Sequence, residues 1–387
     1  MKPPFFSRKL LLPLVPAYQL ALLLREVGLR TGLERVRRLR FPVVSVGSLS
    51  AGGAGKTPLT IALAKALTER GLRVDVLSRG YGRRGQRPIR IDPNGTADDF
   101  GDEPLLIARE TGVPVYVAAQ RYDAGLLAEA EDEQPADRRY FVSGHDLNRA
   151  VNAAKSTVAL APEGRLSKAS VPTNVSVVHL LDDGFQHRQL ARDIDILLLD
   201  SRDWRDGLLP AGNLREPLQA ARRATVIAIP AAGEGPDDSS ELEAALRAWG
   251  WLRPVWRLHR KMEVPAADGS VVAFCGIARP EQFFAGLETA GLRIAAQVAF
   301  PDHHRYAADD IKRLVAVARK TGATVLITTE KDRVRLGKLA AFFPESLPLK
   351  TAGLRIEIEK QEEALVWLVE RIGQPTTVNT SGRLLRK

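Results

Sequence analysis

Twelve residues, Gly47-Ser48-Leu49-Ser50-Ala51-Gly52-Gly53-Ala54-Gly55-Lys56-Thr57-Pro58, set small residues directly before a lysine and a threonine. Small residues let consecutive backbone N–H groups turn toward phosphate oxygens at the positive end of a helix. Ser50, Gly52, Gly53, Ala54, Gly55, Lys56 and Thr57 are therefore the expected nucleotide-binding residues. Lys56 can reach the β- and γ-phosphates, and the Thr57 hydroxyl can serve Mg²⁺. Ser50 departs from the general pattern, which begins with glycine, so the entry turn must make a milder demand on φ. The other reading is a glycine-rich turn beside a chance lysine.

Mg²⁺ needs carboxylates. Two segments read as strands ending in aspartate: one runs into Asp182-Asp183-Gly184-Phe185-Gln186-His187, the other into Asp200. Acidic groups at the carboxyl edge of a parallel strand sit where ligands bind in open α/β sheets. Either can complete the site; the paired carboxylates of the first suit a crowded metal site. Gly101-Asp102-Glu103-Pro104 is a third acidic point, either catalytic or capping a helix over 105–109. Ser78-Arg79-Gly80-Tyr81-Gly82-Arg83 is a basic glycine loop able to meet phosphate or a ring. The six histidines show no zinc spacing. His179 reads as structural, whereas His303 or His304 can act in proton transfer or cap the following helix.

These residues need a scaffold. Phe41 to Val46 reads as a buried strand, Leu59 to Arg70 as a helix ended by Gly71, and Leu72 to Leu77 as the next strand. Strand, glycine loop, helix, strand is the context a phosphate loop requires. Beyond Glu263, strands at 270–274, 293–300, 324–328 and 354–358 alternate with helices at 281–290, 308–320 and 363–372, as in a smaller α/β domain. The expected organisation is a membrane-associated segment over 1–40, a P-loop domain over 41–262, a smaller α/β domain over 263–372, and a loose tail over 373–387. Within the second of these, an insertion about 129–168 has no clear period, and 129–139 reads as loop.

The chain has 387 residues, 45% hydrophobic and 26% charged, enough for two domains with full cores. A single cysteine excludes an intrachain disulfide. Seven of the ten net positive charges fall in residues 1–40, where nine basic groups face only Glu26 and Glu34. A nucleic-acid enzyme spreads its charge along a groove instead. Here the charge brackets an apolar run from Leu10 to Leu24. Fifteen helical residues span roughly 22 Å, short of a bilayer's ~30 Å hydrocarbon core. Pro13 and Pro16 bend the helix or delay its start. The expectation is a helix lying on or dipping into an anionic membrane surface; the alternative is a helix packed on the protein's own core.

Taken in order, Val46–Pro58, Ser78–Arg83, Gly101–Pro104, Asp182–His187, Leu209–Pro217, Phe274–Phe284, Asp302-His303 and Thr329–Asp332 closely resemble the tetraacyldisaccharide 4′-kinase family. The resemblance implies transfer of the ATP γ-phosphoryl group to the 4′-hydroxyl of a tetraacylated glucosamine disaccharide 1-phosphate, a lipid A precursor. The setting it implies is the cytoplasmic face of the bacterial inner membrane. It implies a catalytic Asp102–His303 pair, with Lys56 and Thr57 on the phosphates and Mg²⁺. Glu103, Asp182 and Asp183 match the acidic cluster around the metal, and Gln186 a polar group beside it. Tyr81, Arg121 and Arg215 match polar residues that line the site for substrate. No nucleic acid or obligate protein partner is implied. The stretch between Arg121 and Asp182 is longer than the resemblance implies, which leaves the setting of Arg121 open. The rival classes are a membrane-associated P-loop ATPase switch acting on a protein and a soluble small-molecule kinase. A GTPase needs Asn-Lys-x-Asp, and Thr329-Glu330-Lys331-Asp332 lacks that asparagine.

Overall fold

A computed structural model describes residues 9–53, 55–132, 177–231 and 239–373. Ala54, most of the expected insertion and the tail beyond Gly373 lie outside the described residues.

The core element is β1 (Val43–Ser48), buried along its whole length. Parallel β5 (Val177–Asp182) and β6 (Ile194–Leu198) flank it, with Val46 opposite Asp182 and Ser48 opposite Leu198. A strand buried on both faces reads as a near-continuous apolar run, and these three do so apart from the buried polar residues Ser45, Ser48, His179, Asp182 and Asp195. β2 (Arg73–Ser78), β4 (Val115–Val117) and β3 (Ile89–Arg90) extend the sheet beyond β5. On the other side come β7 (Val226–Pro230) and β8 (Val255–Glu263). The chain thus leaves β1 toward both edges of the sheet, so the carboxyl ends of β1, β5 and β6 border a crevice suited to ligands.

The remaining strands, β9 (Val271–Cys275), β10 (Ile294–Ala299) and β11 (Val325–Thr329), do not form a detached sheet. β12 (Leu349–Ile358) is longer than the sequence predicts, because it serves two partners. Residues 349–352 pair in parallel with β11, and 353–358 pair antiparallel with β8. One twelve-stranded sheet results, in the order β10-β9-β11-β12-β8-β7-β6-β1-β5-β2-β4-β3. Buried apolar side chains cover both of its ends.

Three helices differ from expectation. The helix expected over 105–109 runs over Asp102–Thr111. Gly101 is its N-cap and makes no side-chain cap bond, so Asp102 and Glu103 stand in the first turn and do not cap it. The segment 129–132, expected as loop, finishes helix Arg121–Asp132. Buried Glu131 there accepts a hydrogen bond from the Tyr116 hydroxyl at 3.0 Å, which rewards continuing the helix. At the amino end, a 3₁₀ turn over Lys9–Leu14 holds Pro13, and α1 (Val15–Arg30) follows with Pro16 in its first turn. Proline is tolerated there because a first-turn N–H has no helical partner. The helical stretch Leu10–Arg30 has 21 residues and is apolar and long enough to cross a membrane. The flanking residues therefore lengthen the helix past the apolar run. None of α1 is buried; Leu20, Leu23, Leu24 and Val27 all face outward.

Candidate active site

The phosphate loop leaves β1 and enters helix Lys56–Glu69. Gly52, Gly53 and Gly55 have φ of +81°, +71° and +87°, a backbone that side chains resist. Ser50 is not among the residues with positive φ, so a serine fits at that entry. It is buried and bridges Leu214.

Around the loop the structure gathers a first cluster. The Lys56 ammonium donates to Ser48 Oγ at 3.2 Å and lies 3.5 Å from Asp183. Arg215 Nη1 donates to both Asp183 oxygens, at 2.8 and 3.1 Å. Arg121, at the start of its helix, is buried and reaches the Asp183 carbonyl at 3.3 Å. That places Arg121 in the site. Gln186 donates to the Ser48 carbonyl at 2.8 Å. Asp183 adopts φ of +48°, which turns its carboxylate from the strand toward these cations. Burial pushes the Asp183 carboxyl up, but Lys56 and Arg215 outweigh it and hold it below the usual range. Its neighbour behaves oppositely. Asp182, wholly inside, accepts from Thr60 at 3.1 Å. Burial, then repulsion from Glu103 and Asp183, pushes it up to about 7. His187 is held neutral, pushed down to about 3 by burial and nearby arginines.

A second cluster is assembled from distant parts of the chain. His303 Nδ1 lies 3.1 Å from Asp102 Oδ2 across 201 positions. Arg335 Nε donates to the same oxygen at 2.6 Å. Against the effect of burial, His303 and Arg335 hold the Asp102 carboxyl well below the usual range. The Asp102 hydrogen bond in turn raises His303 above its ordinary value, over the opposing effect of burial. Tyr81, largely exposed, tilts its ring 5.5 Å from the His303 ring. Lys331 binds Glu103 at 2.6 Å and holds it below the carboxylate range. His304 faces the other way: it stacks on Phe300 and bonds Asp310 at 3.0 Å. Of the adjacent histidines, one serves the site and one the loop.

Sequence reasoning assigned no role to Lys331, Asp332 or Arg335. Lys331 and Arg335 stand one turn apart on helix Glu330–Leu336, so both project toward Asp102 and Glu103. Asp332, fully buried, accepts from the Gly276 amide, the Tyr306 hydroxyl and Arg335. The signal was the i, i+4 spacing of two cations, Lys331 within the Thr329–Asp332 segment and Arg335 just after it.

Among the described residues, no three His, Cys, Asp or Glu side chains stand together as a metal cage. Burial first, and then repulsion from Glu103 and Asp183, raises Asp182, and a divalent cation would relieve that charge; Thr57 is buried in the first turn of the helix whose Thr60 donates to Asp182.

Residues 7–372 match the family model described as tetraacyldisaccharide-1-P 4'-kinase. The chain is 35% identical over 371 residues to a tetraacyldisaccharide 4'-kinase of Koribacter versatilis, covering 93% of this chain and 98% of that one. It is also 35% identical over 386 residues to one of Rhodopseudomonas palustris, covering 97% and 96%. A crystal structure of LpxK from Aquifex aeolicus in complex with ATP superposes with a TM-score of 0.64 at 28% identity, over 95% of this chain and all of that one. With the phosphate loop and the acidic clusters in the same fold, the chain belongs to the tetraacyldisaccharide-1-P 4'-kinase family.

Proposed function

We propose that this chain transfers the γ-phosphoryl group of ATP to the 4′-hydroxyl of a tetraacylated glucosamine disaccharide 1-phosphate, in lipid A biosynthesis. One observation supports the mechanism: the Asp102–His303 pair and the phosphate-loop cluster are neighbours, since Asp302, next to His303, has Oδ2 3.9 Å from where a Cβ on Gly52 would stand, and Glu103, next to Asp102, acts on Asp182. Residues 41–262 are read as the nucleotide-binding part and 263–372 as the part that covers it.

Lys56 and the loop amides hold the β- and γ-phosphates and meet the charge that develops in transfer. Thr57 and Asp182, with Glu103 and Asp183 nearby, would hold Mg²⁺, which neutralises phosphate charge when bound. A sugar hydroxyl is a weak nucleophile, so a base must orient it and accept its proton late. Arg335 already ties up Asp102, so the acceptor is the pair: Asp102 fixes the imidazole, and neutral His303 takes up the proton. Arg121, Arg215, Gln186 and Tyr81 line the approach and orient the acceptor.

The membrane reading rests on α1. Its exposed leucines match a bilayer, while its polar side is pinned to the site: Tyr18 donates to the Arg215 carbonyl at 2.7 Å and Arg25 to the Gln186 carbonyl. Each acyl CH₂ buried in the bilayer holds the substrate there by about 0.8 kcal/mol, so the enzyme must work at the surface. Arginines after α1 suit anionic headgroups, and ATP supply places the work on the cytoplasmic face of the inner membrane. A protein partner is not required, since one chain supplies both clusters. A switch ATPase would not need the Asp102–His303 pair.

The test is transfer of labelled γ-phosphate from ATP to the lipid disaccharide 1-phosphate in mixed micelles, with and without Mg²⁺. Label at the 4′ position, dependent on Mg²⁺, is expected. ATP hydrolysis without label on the lipid would favour the switch.

A further inference from the structure

The loop from Gly276 to Pro280 follows β9 and lies on the phosphate loop. A Cβ added to Gly53 would stand 2.9 Å from Arg279 Cδ and Nε, and one added to Gly52 would stand 3.2 Å from Ala278 Cβ. The arginine side chain therefore rests directly on the glycine face of the phosphate cradle. Its backbone is fixed from both sides. Pro280 begins the following helix, which restricts the residue before it, and Arg279 has φ of −131° and ψ of 71°. At the other end, the Gly276 amide is anchored on buried Asp332, and the Gly276 carbonyl accepts from the His303 amide and Arg335. One anchor thus holds both the Arg279 loop and the proton-accepting pair.

The guanidinium is steered by Asp200. Asp200 Oδ1 accepts from the amides of Arg202 and Asp203, capping helix Ser201–Arg205, and Oδ2 takes Arg279 Nη1 at 3.0 Å. With both oxygens engaged, Asp200 is an anchor for arginine. Arg279 is largely shielded, with a side chain 16% exposed. A guanidinium carries five donors, so one nitrogen can stay on Asp200 while Nε and Nη2 face phosphate oxygens.

We propose that Arg279 is a catalytic residue that binds the triphosphate of ATP across the loop and takes up charge on the transferring phosphoryl group. Asp200 is its positioning residue. The proposal rests on the reading that the loop binds ATP. It adds a cation from the far side of the cradle to the one Lys56 supplies from its floor, as arginines do in other phosphoryl transfers.

The experiment measures transfer and the affinities for ATP and ADP in Arg279→Ala, Arg279→Lys, Asp200→Asn and Lys56→Ala, with thermal unfolding of each. Arg279→Ala should slow transfer by about 10²–10³-fold and lose preference for ATP over ADP. Arg279→Lys should recover part of the rate, since a point charge remains without the fork. Asp200→Asn keeps a capping side chain but loses the ion pair, and should give a smaller fall of the same kind. Arg279→Ala with transfer within twofold of the parent, or with ATP and ADP affinity falling alike, would overturn the proposal. Lys56→Ala separates the two claims. Loss of transfer there with a normal Arg279→Ala defeats only the arginine's role, while full transfer in Lys56→Ala defeats the loop reading itself.

Discussion

The two clusters are built differently. The phosphate cluster draws on Lys56 and Thr57 in the first turn of the helix after β1, Asp182 and Asp183 at the end of β5, and Arg215 in the loop that meets the phosphate-loop entry. The cluster proposed to accept the proton joins Asp102 to His303 and Arg335, partners 201 and 233 positions away. The first needs only the central strands of the sheet to form. The second needs β12, because that strand joins β8 to β11 and so brings helix Glu330–Leu336 against helix Asp102–Thr111. Holding ATP and activating the acceptor are therefore separable tasks, and variants should divide along that line.

The largest effect is expected at the proposed proton-accepting pair, where Asp102 fixes His303. Asp102→Ala should cut turnover by roughly 10²–10⁴-fold, the usual worth of acid–base help, as read in the micelle assay. Arg335→Met should cost ~3–5 kcal/mol of stability in urea unfolding, because Asp102 and Asp332 lose their buried cation. An unchanged midpoint would show that the second cluster does not depend on that arginine. Lys56→Ala should lower transfer about 10²–10³-fold and weaken ATP binding as well. The pH profile gives a smaller, graded effect. His303 is raised above its ordinary value of 6.5, and the neutral form accepts the proton. The rate should fall as pH drops through that raised value, so the acid limb should lie above pH 6.5. A limb near the range of a free carboxylate would assign the proton to Asp102 alone. The smallest effect belongs to α1. Leu23→Ser with Leu24→Ser should weaken vesicle binding and raise KM for the lipid, with kcat in detergent nearly unchanged.

The two clusters also differed in how far sequence revealed them. The phosphate loop is contiguous, and its chemistry is set by residue type at fixed spacing, so Lys56 and Thr57 could be placed without a fold. Asp182 and Asp183 followed from their position at a strand end. Asp102 was ambiguous, because a carboxylate before a helix reads equally as a cap; only the helix start at residue 102 removed that reading. Pairing with His303 was legible by family resemblance and not by spacing, since nothing local links positions so far apart. Lys331 and Arg335 were missed as site residues, since two cations on an amphipathic helix read as a solvated face until a buried carboxylate stands opposite. The continuous sheet was hidden for a similar reason: an alternating pattern shows that β12 is a strand, but not that its two halves have different neighbours.

The most direct test of the separation is to titrate ATP onto Asp102→Ala and Lys56→Ala side by side, with single-turnover transfer measured on the same samples. The account predicts that Asp102→Ala binds ATP like the parent and transfers slowly, whereas Lys56→Ala loses both. Equal loss of ATP affinity in the two variants would contradict it, and would make the clusters one indivisible nucleotide site.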